Sequence, residues 1–253
     1  MIFTDPPYNV AITGHVCGVG KIKHREFAMA SGEMTTPEFT SFLTSVLQNL
    51  KTFSKDGSLH YICMDWRHMK ELLDSGLSIY DELKNLCIWN KDNGGMGSLY
   101  RSKHELVFIF KNGIASHLNN VELGKNGRYR TNVWDYAGVN SFGGNQEDLK
   151  LHPTVKPVAM IADAILDVTK RNDIILDSFL GSGSSVIAAE KTGRICYGIE
   201  LDPIYIDTII KRWQEYSGKE AIHQESGKTF DELIKTKNSD NDKVLSDSDY
   251  EKQ

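Results

Sequence analysis

An acid, two prolines and a phenol stand together near the start of the sequence: Asp5-Pro6-Pro7-Tyr8 directly follows the apolar Ile2-Phe3-Thr4. Neither proline donates a backbone hydrogen bond, so the strand predicted for Ile2-Phe3-Thr4 stops there and the turn is stiff. The result is a fixed set of groups: the Asp5 carboxylate, the Pro6 carbonyl and the Tyr8 ring. Carboxylate and carbonyl are both acceptors, so together they suit an amino group with two N–H donors. The ring suits stacking on a planar heterocycle. That is the chemistry of a site for the exocyclic amine of a base. A proline-stiffened turn with an aspartate cap needs no ligand, so the functional reading draws its weight from a second constellation far along the chain.

That constellation is Asp177-Ser178-Phe179-Leu180-Gly181-Ser182-Gly183-Ser184-Ser185, which joins a predicted strand to a predicted helix. Gly181 and Gly183 allow a sharp turn and a close approach of backbone to ligand. The helix start offers free N–H groups. Nineteen positions past Gly181, Glu200 ends the next predicted strand, where its carboxylate can accept from both hydroxyls of a ribose. Dinucleotide-binding folds use a similar turn and acid. Here the third glycine is absent, and Asp177 is a poor neighbour for pyrophosphate but a good one for a cationic ligand end. No Gly-Lys-Ser/Thr follows, which excludes a P-loop. The pattern points to a nucleoside, with a ligand-free tight turn as the plain alternative.

The elements that must carry these groups alternate. Thr36-Pro37 predicts a helix start, and Phe39, Phe42, Leu43, Val46, Leu47 and Leu50 line one helical face. Strands are predicted at 59–63, 86–89, 106–110, 174–176 and 195–199, and helices at 66–77, 157–169, 184–191 and 204–213. Between Asn112 and Lys150 periodicity fails. Alternating strands and helices imply an α/β fold with a mostly parallel sheet and helices on both faces, binding ligands at the carboxyl ends of the strands.

Composition sets bounds. The 253 residues suffice for one large domain. A net charge of -5 excludes bulk-charge binding of nucleic acid but not a local basic groove. Residues 91–130 supply one candidate, with seven basic residues against three acids, although a solvated face accounts for such a run as well. Cys17, Cys63, Cys87 and Cys196 form no Cys-x-x-Cys pair, so neither structural zinc nor a disulfide framework is expected, and no metal site is assigned. No apolar run approaches a membrane span and no secretory signal is seen, so a cytoplasmic location and no membrane partner are expected. The expected organisation is one domain over 1–237, an irregular target-recognition insertion at about 112–150, and a disordered acidic tail at 238–253 with five acids against two lysines.

In order, these motifs resemble the S-adenosylmethionine-dependent DNA amino-methyltransferases of the circularly permuted β type. Asp-Pro-Pro-Tyr comes first and the recognition region second. Then come His152-Pro153-Thr154-Val155-Lys156-Pro157, similar to the family's HPTxKP segment, and the glycine turn, similar to its DPFxGSG. Glu200-Leu201-Asp202-Pro203 closes the series, and the likeness spans residues 2 to about 216. The resemblance implies a Rossmann-like methyltransferase fold and transfer of a methyl group from S-adenosylmethionine to a flipped base in duplex DNA. Adenine N6 is favoured over cytosine N4. Asp5, Pro6, Pro7 and Tyr8 would hold the amine. Gly181 and Gly183 would pass beneath the cofactor, Asp177 would lie near its amino-acid part, Thr154 and Lys156 on its carboxylate, and Glu200 on its ribose. Phe179 and Asp202 complete that set.

The implied chemistry is direct transfer without a cysteine nucleophile. Double-stranded DNA is the expected partner, and a second copy of the chain is a candidate. The loop from Asn9 to Ser31, with Lys21, Lys23, His24 and Arg25, is expected to order over DNA. Arg128, Arg130, Asn132 and Asn140 are candidate base or phosphate contacts. His152 and Trp89 read equally as a loop residue and core packing. The sequence departs from the family at Ser178, where proline is common. Only four residues precede Asp5, where the family carries a fuller strand and upstream segments, so either a fragment or another gene start, or an incomplete edge of the fold, is expected, with weakened activity. RNA or protein methylation, a catalytically weak nucleic-acid-binding homologue and an NAD-dependent oxidoreductase are the rival readings.

Overall fold

The structure is a computed structural model, and it describes residues 1–10, 29–95, 99–138 and 155–236. Seven strands form one sheet: β1 (Ile2–Thr4), β2 (Leu59–Met64), β3 (Glu82–Asn90), β4 (His104–Lys111), β5 (Val133–Asp135), β6 (Ile174–Asp177) and β7 (Ile195–Gly198). Their order is β5-β3-β4-β2-β1-β6-β7. β1 pairs in parallel with both β2 and β6, as do β6 with β7 and β3 with β5. β4 alone runs the other way, between β2 and β3. The mostly parallel expectation therefore holds with one reversed strand.

Helices cover both faces. On one side lie α1 (Thr36–Thr52) and α2 (Met69–Ile79), and on the other α3 (Val158–Val168) and α4 (Ser184–Thr192), with α5 (Pro203–Ser217) packed beside α4. The period-2 alternation of the central strands splits the core accordingly. Ile2, Ile62, Phe108 and Phe110 join Phe39, Leu43, Leu47 and Leu72 of the first helix pair. Phe3, Tyr61, Cys63, Val107 and Ile109 join Met160, Ile161, Ile165 and Ala188 of the second layer. β1 is only three residues long, yet all three are buried, because it is a central strand.

The predicted elements recur with small shifts. The cap of α1 is Thr35 rather than Thr36; its backbone N–H donates to Glu38 Oε2 at 2.8 Å, half of a capping box. β3 begins at Glu82, earlier than predicted, and carries an irregularity between Leu83 and Asn85. β5 lies inside the stretch read as aperiodic, and Trp134 there pairs with Trp89. Among the described residues no helix is long and apolar enough to cross a membrane.

Candidate active site

The rim formed by the carboxyl ends of β1, β2, β6 and β7 also receives the start of β4, because β4 is reversed. Asp5 and Tyr8 leave β1 there, Glu105 opens β4, Lys91 follows β3 and Lys156 precedes α3. Tyr8 donates its hydroxyl to Asp5 Oδ1 at 2.5 Å, and the Tyr8 hydroxyl oxygen also lies 3.2 Å from Glu105 Oε2. Lys156 Nζ donates to Asp5 Oδ2 at 2.5 Å and lies 3.0 Å from Glu105 Oε2. Lys91 binds the other Glu105 oxygen. Trp89 forms an apolar wall with its indole N–H on the Tyr136 carbonyl, and both ammonium groups lie over its ring.

Burial shapes the charges. It pushes the Asp5 carboxyl up, Lys156 offsets part of the rise, and Glu105 adds to it, leaving Asp5 above the usual range. Burial pushes Glu105 up as well, but Lys156 and Lys91 outweigh it and hold this carboxyl down to about 2. Lys156 is lowered by burial and raised more by Asp5 and Glu105, so it stays firmly charged. The Tyr8 phenol is raised by burial and by the two carboxylates, and stays protonated.

One strand away lies the glycine turn. Ile2 is in register with Leu176, and Thr4 Oγ1 donates to Asp177 Oδ1 at 2.8 Å across 173 positions of sequence. Ser178, at the position where the family commonly has proline, has its hydroxyl 3.2 Å from that of Thr4. Asp177 also accepts from Ser185 Oγ at 2.6 Å and from Phe179 N–H at 3.1 Å. Burial nevertheless raises its carboxyl to about 6, against those three donors. Gly181 and Gly183 have φ of +53° and +80°, the left-handed region that favours glycine. A Cβ on Gly183 would stand 2.9 Å from Ile209 of α5. Glu200 accepts from the Gly181 N–H at 2.8 Å and the Asp202 N–H at 2.9 Å, so the acid after β7 closes back on the turn. Phe179 packs against Phe42.

The two constellations, distant in sequence, therefore share one rim. Other expectations land differently. Lys156, expected on the methionine carboxylate, is engaged with Asp5 and Glu105. Asp202 caps α5, accepting from Ile204 N–H at 2.9 Å. Arg128 and Arg130, candidates for contacts to nucleic acid, turn inward onto α3: Arg128 Nη2 donates to Asp167 Oδ1 at 2.7 Å and Arg130 Nε to Asp167 Oδ2 at 3.0 Å. Arg130 Nη1 reaches the Tyr136 hydroxyl at 2.9 Å, and that hydroxyl donates to Asp163. Asn132 is spent on the Leu86 carbonyl. Thr154, His152, Asn140, Cys17, the basic loop residues 21–25 and the acidic tail lie outside the described residues. Among the described residues no cluster of three or more metal-ligating side chains occurs. Glu105 and Lys91 were missed by sequence reading. Both were counted only within the charged run 91–130, Lys91 among its bases and Glu105 among its acids, and neither was placed in the site.

This architecture defines the class first. The fold matches the PvuII DNA methyltransferase (cytosine-N4-specific) with a TM-score of 0.65 at 15% identity, over 84% of this chain and 78% of that one. It matches the M1.HpyAVI–SAM complex with a TM-score of 0.57 at 20% identity, over 84% and 86%. Residues 1–212 match the N6_N4_Mtase family model, described as DNA methylase, and the chain belongs to that family. It is 26% identical over 235 residues to the type II methyltransferase M.HinfI of Haemophilus influenzae, over 85% of this chain and 63% of that protein. It is 28% identical over 229 residues to M2.MboI of Moraxella bovis, over 85% and 80%. The chain thus spans less than two thirds of the length of M.HinfI.

Proposed function

We propose that this chain moves a methyl group from S-adenosylmethionine to the exocyclic amine of a base flipped out of duplex DNA. Adenine N6 is the first target and cytosine N4 the second. The observation that carries this reading is the tie between Thr4 and Asp177, which sets the Asp5 carboxylate one strand from the glycine turn.

The residues present fit the cofactor. Gly181 and Gly183 put no side chain at two left-handed positions of the turn, and Glu200 offers a carboxylate suited to a ribose diol. Ser184 Oγ, buried in the first turn of α4, has no hydrogen-bond partner among the described residues. Gly181, Gly183, Ser184, Phe179 and Glu200 would hold the cofactor, which when bound supplies a methyl group on a positively charged sulfur. Asp177 stands close to that charge. Thr154 remains a cofactor contact by resemblance.

Asp5 and the Pro6 carbonyl accept the N–H groups of the amine and draw its nitrogen toward tetrahedral geometry, freeing a lone pair otherwise delocalised into the ring. Catalysis is then positioning and electrostatics. The hydroxyl bond to Asp5 fixes the Tyr8 ring for stacking. Stacking is worth about 1–3 kcal/mol per base and offsets part of the few kcal/mol that flipping costs. The Asp at the head of the tetrapeptide favours adenine, as the family resemblance implies. Residues 112–150 are the recognition insertion of a single domain, and Arg128 and Arg130 tie its described part to α3.

Transfer of tritiated methyl to duplex DNA, RNA and protein, with nucleoside analysis of the product, tests the proposal. N6-methyldeoxyadenosine is expected, and N4-methyldeoxycytidine is the second reading. Label only in RNA or protein, or full activity in Asp5→Ala, would refute it.

A further inference from the structure

Lys156 sits on the acceptor that the target amine needs. Its Nζ is 2.5 Å from Asp5 Oδ2 and 3.0 Å from Glu105 Oε2, and its side chain is only 6% exposed. The other Asp5 oxygen holds the Tyr8 hydroxyl. Glu105 is anchored in turn by Lys91. Two carboxylates and two ammonium groups therefore balance in one largely buried cluster. Removing one partner from such a pair strands a charge, which is far more costly than exchanging partners. An amine that displaced Lys156 from Asp5 would strand an ammonium, unless a second carboxylate already stood within reach. Glu105 does.

We propose that Glu105 is a positioning residue for methyl transfer: it shares Lys156 with Asp5 in the resting site and takes over the ammonium when the target amine moves onto Asp5. The inference rests on the reading that Asp5 receives the amine, and deepens it. No proton moves in the handover. The Lys156 hydrogen bond to Asp5 is replaced by one from the amine, while Lys156 keeps its contact with Glu105. Lys91 holds the receiving carboxylate from its far side, so Glu105 stays in place. Without a base in the site, the same sharing keeps Asp5 paired.

The groups facing Asp5 are Lys156, Glu105 and Tyr8, with Cys63 of β2 and Asp177 of β6 as the other titratable neighbours. Lys156 favours the ionised form of Asp5 and Glu105 opposes it, so two substitutions act in opposite directions. In Lys156→Met the low-pH limb of kcat/KM moves to higher pH. In Glu105→Gln it moves to lower pH, yet the plateau falls on the order of 100-fold, because the ammonium is left on Asp5 and the amine is misplaced. Glu105→Asp recovers part of that loss. A glutamate with only a structural role would lower activity together with thermal stability and leave the limb in place.

The same titration is read without DNA or cofactor by 13C NMR of protein labelled at the aspartate carboxyls, the Asp5 signal being assigned by its loss in Asp5→Asn. Opposite shifts in the two variants support the sharing of Lys156. Shifts in the same direction, or none, overturn it. Full kcat/KM in Glu105→Gln overturns the handover alone. Opposite NMR shifts in a protein that methylates no DNA overturn the functional reading alone.

Discussion

Asp177 is buried at the end of β6 and still accepts three hydrogen bonds, yet its carboxyl stays raised to about 6. A folded-state pKa above the unfolded one means that the folded protein binds the proton more tightly. Its contribution is present below about pH 4 and is lost as pH rises through 6. Over that window the loss is on the order of 3 kcal/mol. Asp177→Asn should therefore flatten the fall in melting temperature between pH 4 and 7 and weaken cofactor binding; an unchanged pH slope would count against this assignment. Tyr8→Phe keeps the ring and removes the hydroxyl from Asp5, so it should retain DNA affinity while losing about tenfold in rate, the effect of one hydrogen bond to a charged group. Single-turnover kinetics separate the two. The places of Asp5, Tyr8 and Glu200 just past strand ends were legible in the sequence because strand-ending motifs announce them. The partner of Lys156 was not, since a lysine in an irregular segment carries no sign of which carboxylate will meet it. Glu105 was missed for the same reason: one acid before an apolar strand reads as a solvated strand end.

The elements were legible wherever periodicity was strong. The direction of β4 was not, although the lack of a helical repeat between β3 and β4 was a clue to an antiparallel turn. That reversal shapes the rim, because it brings the first residues of β4 to the place where its neighbours end. β5 is three residues long in a glycine- and asparagine-rich stretch, too short for alternation to register. Arg128 and Arg130 looked free in sequence because Asp163 and Asp167 lie on another element. Asp167→Ala leaves two guanidinium groups facing one fewer carboxylate, and should cost about 3–5 kcal/mol. Hydrogen exchange should rise across 128–136 and DNA affinity should fall, with cofactor affinity kept; loss of cofactor binding as well would refute the separation. At the other end of the rim, Gly183→Ala meets both a left-handed backbone and the Ile209 side chain, and should lower cofactor affinity more than stability, read by calorimetry.

At the scale of the molecule, two core layers share one sheet, and the glycine turn follows β6 of that sheet. Saturating the protein with S-adenosylmethionine at about 100 times its Kd should add roughly 2.7 kcal/mol. For a domain of this size that raises Tm by about 5–10 °C. A scan with no shift at that concentration would contradict the cofactor assignment. The Thr4–Asp177 bond also has a consequence in time. Ribosomes extend chains at about 5–20 residues per second, so the two halves of the candidate site are made roughly 9–35 seconds apart. Until Ile174–Asp177 emerges, β1 has a partner on one side only, and its open flank must be shielded from neighbouring nascent chains. The Asp5 corner therefore waits, unfinished, for a strand made 173 positions later.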